Sequence, residues 1–192
     1  RRIPYAKAAN PPGAPAAALV RPANLVQRCR SSSRNATMND DDALLAEHAQ
    51  AVRQMFERIP FNLVLGIELD EISAERVIMH LSMKDELIGN FVHGILHGGV
   101  IASLLDVAGG AMAMVGAMDK HRHLRAPERA AQLARLGTID LRIDYLRPGR
   151  GQRFTATAML LRSGNKVAVV RSELHNDKGT LVAVGTGTYL CG

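Results

Sequence analysis

The stretch HGGVIASLLDVAGGAMAMVGAM, residues 97–118, decides the fold. From Gly98 to Met118 it runs twenty-one residues with a single ionisable side chain, Asp106. A helix that is apolar on all sides belongs in a core. About twenty apolar residues also suffice to span a bilayer. Five glycines, the central Asp106 and alternating patterns downstream argue against a span and for a buried core helix. Asp106 then reads as a buried carboxylate. That state is costly unless the group has a partner or a task.

The flanks supply what such a helix packs against. Asp40-Asp41-Asp42 precede apolar residues at helical spacing up to Phe56, which predicts a helix ending near Pro60. Residues 67–73 and 75–83 read as a strand pair turning at Ser73-Ala74, and 84–96 as a loop. Residues 119–136 are polar and basic, with room for a short helix that has Pro127 in its first turn. Strands follow at 138–146, 154–161, 166–175 and 180–190. Their turns are Pro148-Gly149-Arg150-Gly151, Ser163-Gly164-Asn165 and Asn176-Asp177-Lys178-Gly179. Sequential strands joined by tight turns are antiparallel. In the strand 138–146, Ile139, Leu141, Ile143 and Tyr145 alternate with Asp140, Arg142 and Asp144, which puts Thr138 on the polar face. A sheet with one polar face needs cover on the other, and the apolar helix provides it. The expected fold is α+β: a curved antiparallel sheet wrapped around a central helix, the hotdog arrangement.

Charge excludes one class of partner. The chain has 192 residues and a net charge of +6. Seven of its basic residues and none of its acids lie in 1–37. Removing that tail leaves 17 Lys and Arg against 18 Asp and Glu. The basicity belongs to the tail, so nucleic acid is not an expected partner. Pro-, Ala- and Ser-rich segments make 1–37 read as a disordered or non-native basic tail, with 38–192 as one domain. Met38, directly before the acidic helix start, reads as the natural start; a transit peptide is the alternative reading of the Arg- and Ser-rich tail. Cys29 and Cys191 form no disulfide framework, which suits a cytoplasmic location. His93, His97, His121 and His123 lack a third ligand at convincing spacing, so no metal is expected.

Gly98-Gly99 at a helix start lets a ligand approach unpaired N–H groups at the positive end of the helix. That arrangement favours a developing oxyanion. Asp106 lies eight residues on, roughly 12 Å along the axis. One carbonyl cannot touch both at about 3 Å. If the two share a site, a second copy of the helix must run antiparallel beside the first, as a two-fold dimer provides.

Asn90, His97-Gly98-Gly99, Leu105-Asp106, Thr138-Ile139-Asp140-Leu141 and Tyr145-Leu146-Arg147-Pro148 resemble the PaaI-like acyl-CoA thioesterases of the hotdog superfamily. The resemblance covers about residues 50–190, and 38–192 are most similar to the bacterial YigI type. It implies that Gly98 donates its N–H to the thioester carbonyl and that Asp106 is general base or nucleophile. It further implies that Asn90 positions the carbonyl or carboxylate, that Thr138 holds the attacking water, and that His97 orients the site. Coenzyme A, part of the substrate and not a cofactor, would lie across a region including Gly99, Arg147, Arg150, Gly164, Asn165 and Lys166, with Arg162 beside it. Tyr145, Met112, Met114 and Met118 read as core or acyl-pocket lining. The stretch 119–136 is long for this connection in the family.

The expected function is hydrolysis of acyl-CoA thioesters, as in fatty acid metabolism, by a homodimer or a dimer of dimers. Two alternatives stand beside it. One is a non-catalytic acyl-CoA-binding module. The other is a hotdog dehydratase, disfavoured because no second acid accompanies Asp106 in the helix.

Overall fold

The computed structural model describes residues 40–125, 127, 128, 131 and 134–191, all within one unit. The expected tail at 1–37 lies outside the described residues. The helix α1 (Asp40–Phe56) starts at the acidic cluster as expected. Pro60 does not mark its end. It opens a second short helix, α2 (Pro60–Leu65), where proline suits the first turn because its missing N–H costs nothing there. The strands β1 (Ile67–Ile72) and β2 (Arg76–Ser82) form the predicted antiparallel pair. Residues 84–96 are more than a loop. They carry a 3-10 turn at Asp85–Leu87 and a small hairpin, β3 (Ile88–Asn90) and β4 (Ile95–Leu96).

The decisive stretch forms α3 (Gly98–Lys120). Beyond it, Pro127, Glu128 and Ala131 are helical and Ala134-Arg135 turn, so helix at 128–136 falls short of its expected end. The long strands are β5 (Gly137–Tyr145), β6 (Arg153–Ser163), β7 (Val167–Asn176) and β8 (Leu181–Leu190). The large sheet has the order β1-β2-β6-β7-β8-β5, antiparallel throughout.

That order corrects one expectation. β5 and β6 are not a hairpin; β5 pairs with β8 at the far edge of the sheet. The segment after Tyr145 crosses the N-terminal end of α3 instead of turning back. Leu146 and Arg147 both donate their N–H to the Val182 carbonyl, and Leu96 N–H donates to the Gly149 carbonyl at 2.9 Å. Gly149 is buried where a Cβ would stand 3.0 Å from that of Leu96. Proline before it supplies no ladder donor, so the segment suits a crossing better than a strand.

The concave face of the sheet closes on α3. Val77, Met79 and Leu81 from β2, Phe154, Ala156 and Ala158 from β6, and Ala168, Val170 and Leu174 from β7 are all buried. They alternate with less buried residues, the period of two that a half-covered sheet requires. α1 covers the helix from the other side through Val52 and Phe56. From Ala108 to Val115 the helix is buried all round. Its first half is not: Gly99, Ala102, Ser103, Asp106 and Val107 leave an accessible strip. The helix is apolar and long enough to cross a membrane, but it packs as the core of this sheet.

The helix comes close to the sheet where glycines permit it. A Cβ on Gly109 would stand 2.1 Å from the Tyr189 hydroxyl, and one on Gly187 would stand 2.5 Å from it. Tyr189 is fully buried and has no room to withdraw. Gly109→Ala should therefore destabilise the fold despite alanine's better helix propensity. Overpacking of this kind costs about 1–3 kcal/mol. A fall in Tm of roughly 3–10 °C by calorimetry is expected, and an unchanged Tm would refute the packing argument.

Candidate active site

Four elements meet around the first two turns of α3. His97 is the N-cap, in extended backbone (φ −65°, ψ 135°), and its Nδ1 accepts the Gly99 N–H at 2.9 Å. Its own N–H donates to the Leu87 carbonyl. Gly89 of β3 lies so close that a Cβ there would stand 2.6 Å from the His97 Cα. The small hairpin thus fixes the cap, and the cap consumes the Gly99 donor. The Gly98 N–H has no acceptor among the described residues. Gly98 lines an open cleft of about 380 Å³ with Ile95, Leu96, Ile101, Tyr145 and Arg147.

Two turns down, the Thr138 hydroxyl donates to Asp106 Oδ1 at 2.9 Å. Thr138 was expected on the polar face of β5. A β-bulge between Thr138 and Asp140 resets the alternation, leaves Ile139 57% exposed and turns Thr138 toward the helix. The Tyr189 hydroxyl donates to the Asp106 carbonyl at 3.2 Å. Burial, and then the neighbouring Asp106 carboxylate, push the Tyr189 phenol far above its usual range, so it stays a donor. Asp106 itself is half-buried rather than buried, on the accessible strip of α3. The carboxylate is held from behind and open in front.

The other expected site residues divide. Asn90 Oδ1 accepts the N–H groups of Val92 and His93, capping the exposed hairpin tip. Its side-chain bonds within one chain are thus local to the hairpin, while Gly98 and Asp106 find their partners elsewhere. Arg147 joins the Gly98 cleft and donates to the Leu181 carbonyl, while Arg150 is exposed just beyond it. Gly164, Asn165 and Lys166 form the β6–β7 turn, where Ser163 approaches Gly116 of α3. Gly116 is eighteen residues from Gly98, roughly 27 Å along the helix. Within one chain the expected coenzyme A residues therefore form two separate groups. Among the described residues no three His, Cys, Asp or Glu side chains are placed to hold a metal.

A model of the thioesterase superfamily matches residues 93–183, the span from the hairpin tip through β8's first residues. The chain is also 48% identical over 151 residues to the medium/long-chain acyl-CoA thioesterase YigI of Escherichia coli, covering 78% of this chain and 97% of that relative. The chain belongs to the thioesterase superfamily. A crystal structure of a Shewanella oneidensis protein related to that superfamily is 46% identical, with a TM-score of 0.74 over 78% of this chain and 98% of its own. The Escherichia coli PaaI protein, at 21% identity, shares the fold with a TM-score of 0.61 over 78% and 96% of the two chains. The thioesterase fold is thus the hotdog fold expected from the sequence. Inside it, the apolar run and its Gly-Gly start point to Asp106 and Gly98, and the family resemblance to Thr138, but nothing in the sequence signals that Tyr189 and Tyr145 reach the backbone of the same helix.

Proposed function

We propose that this chain hydrolyses acyl-CoA thioesters to free acid and coenzyme A, in composite sites formed by a homodimer. The observation that carries the reading is the Asp106 carboxylate, gripped by Thr138 and open to an accessible strip, on the helix that begins with an unpaired Gly98 N–H. The thioester carbonyl sits against the Gly98 N–H of one subunit, which stabilises the oxyanion as it forms. Asp106 of the partner attacks the carbonyl carbon, or takes a proton from the water that does so. Collapse of the tetrahedral species expels the coenzyme A thiolate, which takes up a proton. Where water attacks, the free acid forms at once; where Asp106 attacks, water then cleaves the acyl–Asp106 anhydride to free acid and the restored carboxylate. His97 serves by position: its Nδ1 is committed to Gly99, so it is not a free proton carrier at that atom. A dehydratase is disfavoured on other grounds: it needs a His–acid pair, and no second acid accompanies Asp106 in the helix.

Two features support the dimer. β5 is an edge strand, with Ile139 and Tyr145 more than half exposed. Such an edge invites pairing with another strand. It borders the accessible strip of α3 through Thr138 and Tyr145, which reach Asp106 and Gly98 respectively. A two-fold axis beside this edge brings Gly98 of one copy to Asp106 of the other. Asn90 then helps position the carbonyl from the Gly98 side. Arg147, Arg150 and Gly99 from that side, and Gly164, Asn165 and Lys166 from the Asp106 side, flank the path of coenzyme A.

Thiol release measured across short, medium, long and aryl acyl-CoAs tests the reading. The relative's activity leads us to expect the fastest release from medium and long chains. Tight binding of acyl-CoA with no thiol release would replace the hydrolase by a binding module.

A further inference from the structure

Gly98 carries the proposed oxyanion donor, yet little in its own residue holds it. Glycine has no Cβ to restrict its backbone. As the first residue of α3 it has no intrahelical acceptor for its N–H. The His97 cap pins the next amide, Gly99; the peptide unit that carries the Gly98 N–H is held at its other end, where the His97 carbonyl accepts from Val100 and Ile101.

On the far side of the Gly98 Cα, a hold from outside the helix comes from β5. The Tyr145 hydroxyl donates to the Gly98 carbonyl at 3.0 Å. The Tyr145 ring lies 3.5 to 3.7 Å from where a Cβ of Gly98 would stand, at ordinary van der Waals distance. Tyr145 is itself anchored. Its backbone pairs with Ala183, and the next two N–H groups both donate to Val182. Tyr145 is 54% exposed as a residue and lines the same cleft as Gly98. A tyrosine whose hydroxyl sits on the carbonyl of the residue that carries the proposed donor does more than wall the cleft.

We infer that Tyr145 is a positioning residue for the oxyanion-binding N–H, its hydroxyl fixing the orientation of Gly98 at the start of α3. The inference rests on the hydrolase reading above. The hydroxyl anchors the peptide unit between Gly98 and Gly99 from outside the helix, and through it the N–H on the other side of the Gly98 Cα. This pre-orients a donor that must meet the transition-state oxygen, and not merely the substrate, at hydrogen-bond distance.

Tyr145→Phe and Tyr145→Leu separate hydroxyl from ring. Deleting an oxyanion donor outright costs about 10²–10³ in kcat; loosening one should cost on the order of 10-fold. We expect Tyr145→Phe to lower kcat by about that factor with KM and Tm nearly unchanged, the pattern of an interaction made only in the transition state. Tyr145→Leu should lower kcat equally and raise KM as well. A Phe variant with wild-type kcat, beside a Leu variant with raised KM only, would make Tyr145 a cleft wall and overturn the inference while leaving the hydrolase intact. Amide NMR reads the restraint without turnover. In Tyr145→Phe the Gly98 and Gly99 amide signals should both shift. Unchanged Gly98 and Gly99 signals would overturn the inference even if the wild-type protein hydrolysed no thioester, an outcome that separately refutes the hydrolase.

Discussion

Asp106→Asn should lower kcat for thiol release by about 10²–10⁴-fold, the range for losing a general base or nucleophile. The substitution is nearly isosteric. The amide oxygen of the introduced asparagine can still accept from Thr138, 2.9 Å from the carboxylate in the native protein, and the Tyr189 contact is to the backbone and persists. What is lost is the negative charge that takes a proton or attacks carbon. Because the side chain is half-buried on an accessible strip, no buried charge is left unpaired and Tm should hold. KM should change little, since a carboxylate that acts only as bonds form contributes mainly to the transition state. Steady-state thiol release on the best acyl-CoA, with calorimetry beside it, measures both. Wild-type turnover in Asp106→Asn would exclude either catalytic role for this residue.

Much of this architecture is legible in the chain because it rests on short-range patterns. The twenty-one-residue run with one acid can only be a core helix or a span, and the alternating strands beyond it supply the sheet that covers it. The Gly-Gly that opens that run and the acid within it mark both halves of the proposed site. The features that are not legible are set by longer-range contacts. Pro148-Gly149 reads as a tight turn, yet it crosses the end of α3 because Leu96 and Ile101 form a seat for Gly149. Thr138 reads as a polar-face residue, since the alternation of Ile139, Leu141, Ile143 and Tyr145 is unbroken in sequence. A one-residue bulge, dictated by pairing with β8, reverses its face. Asp106 reads as buried because its neighbours in sequence are apolar. Its exposure depends on β5 being an edge, a fact of topology.

The composite site makes a second large prediction, one that separates the dimer from the chemistry. Asp106→Asn removes the acid half-site. Gly98→Pro removes the other half, because proline has no N–H to donate. The protein accommodates that proline well. Gly98 is the first residue of α3, the position proline prefers in helices. His97 already has the extended backbone that a residue before proline adopts. The Cβ space beside Tyr145 is ordinary contact distance. Each variant alone should retain about 1% of wild-type thiol release or less. Co-expressed in equal amounts, the two variants form mixed dimers in half of the population. In a mixed dimer, the intact Gly98 of the Asp106→Asn subunit faces the intact Asp106 of the Gly98→Pro subunit. One of its two sites is whole and the other carries both lesions. The mixture should therefore recover about a quarter of the wild-type rate, more than tenfold above either variant. If each site were built within one chain, every site in the mixture would carry a lesion and no recovery would follow. Gly98 and Asp106, roughly 12 Å apart on one rigid helix, leave no intermediate outcome: recovery requires two copies of α3 lying antiparallel, and its absence removes the composite site from the mechanism.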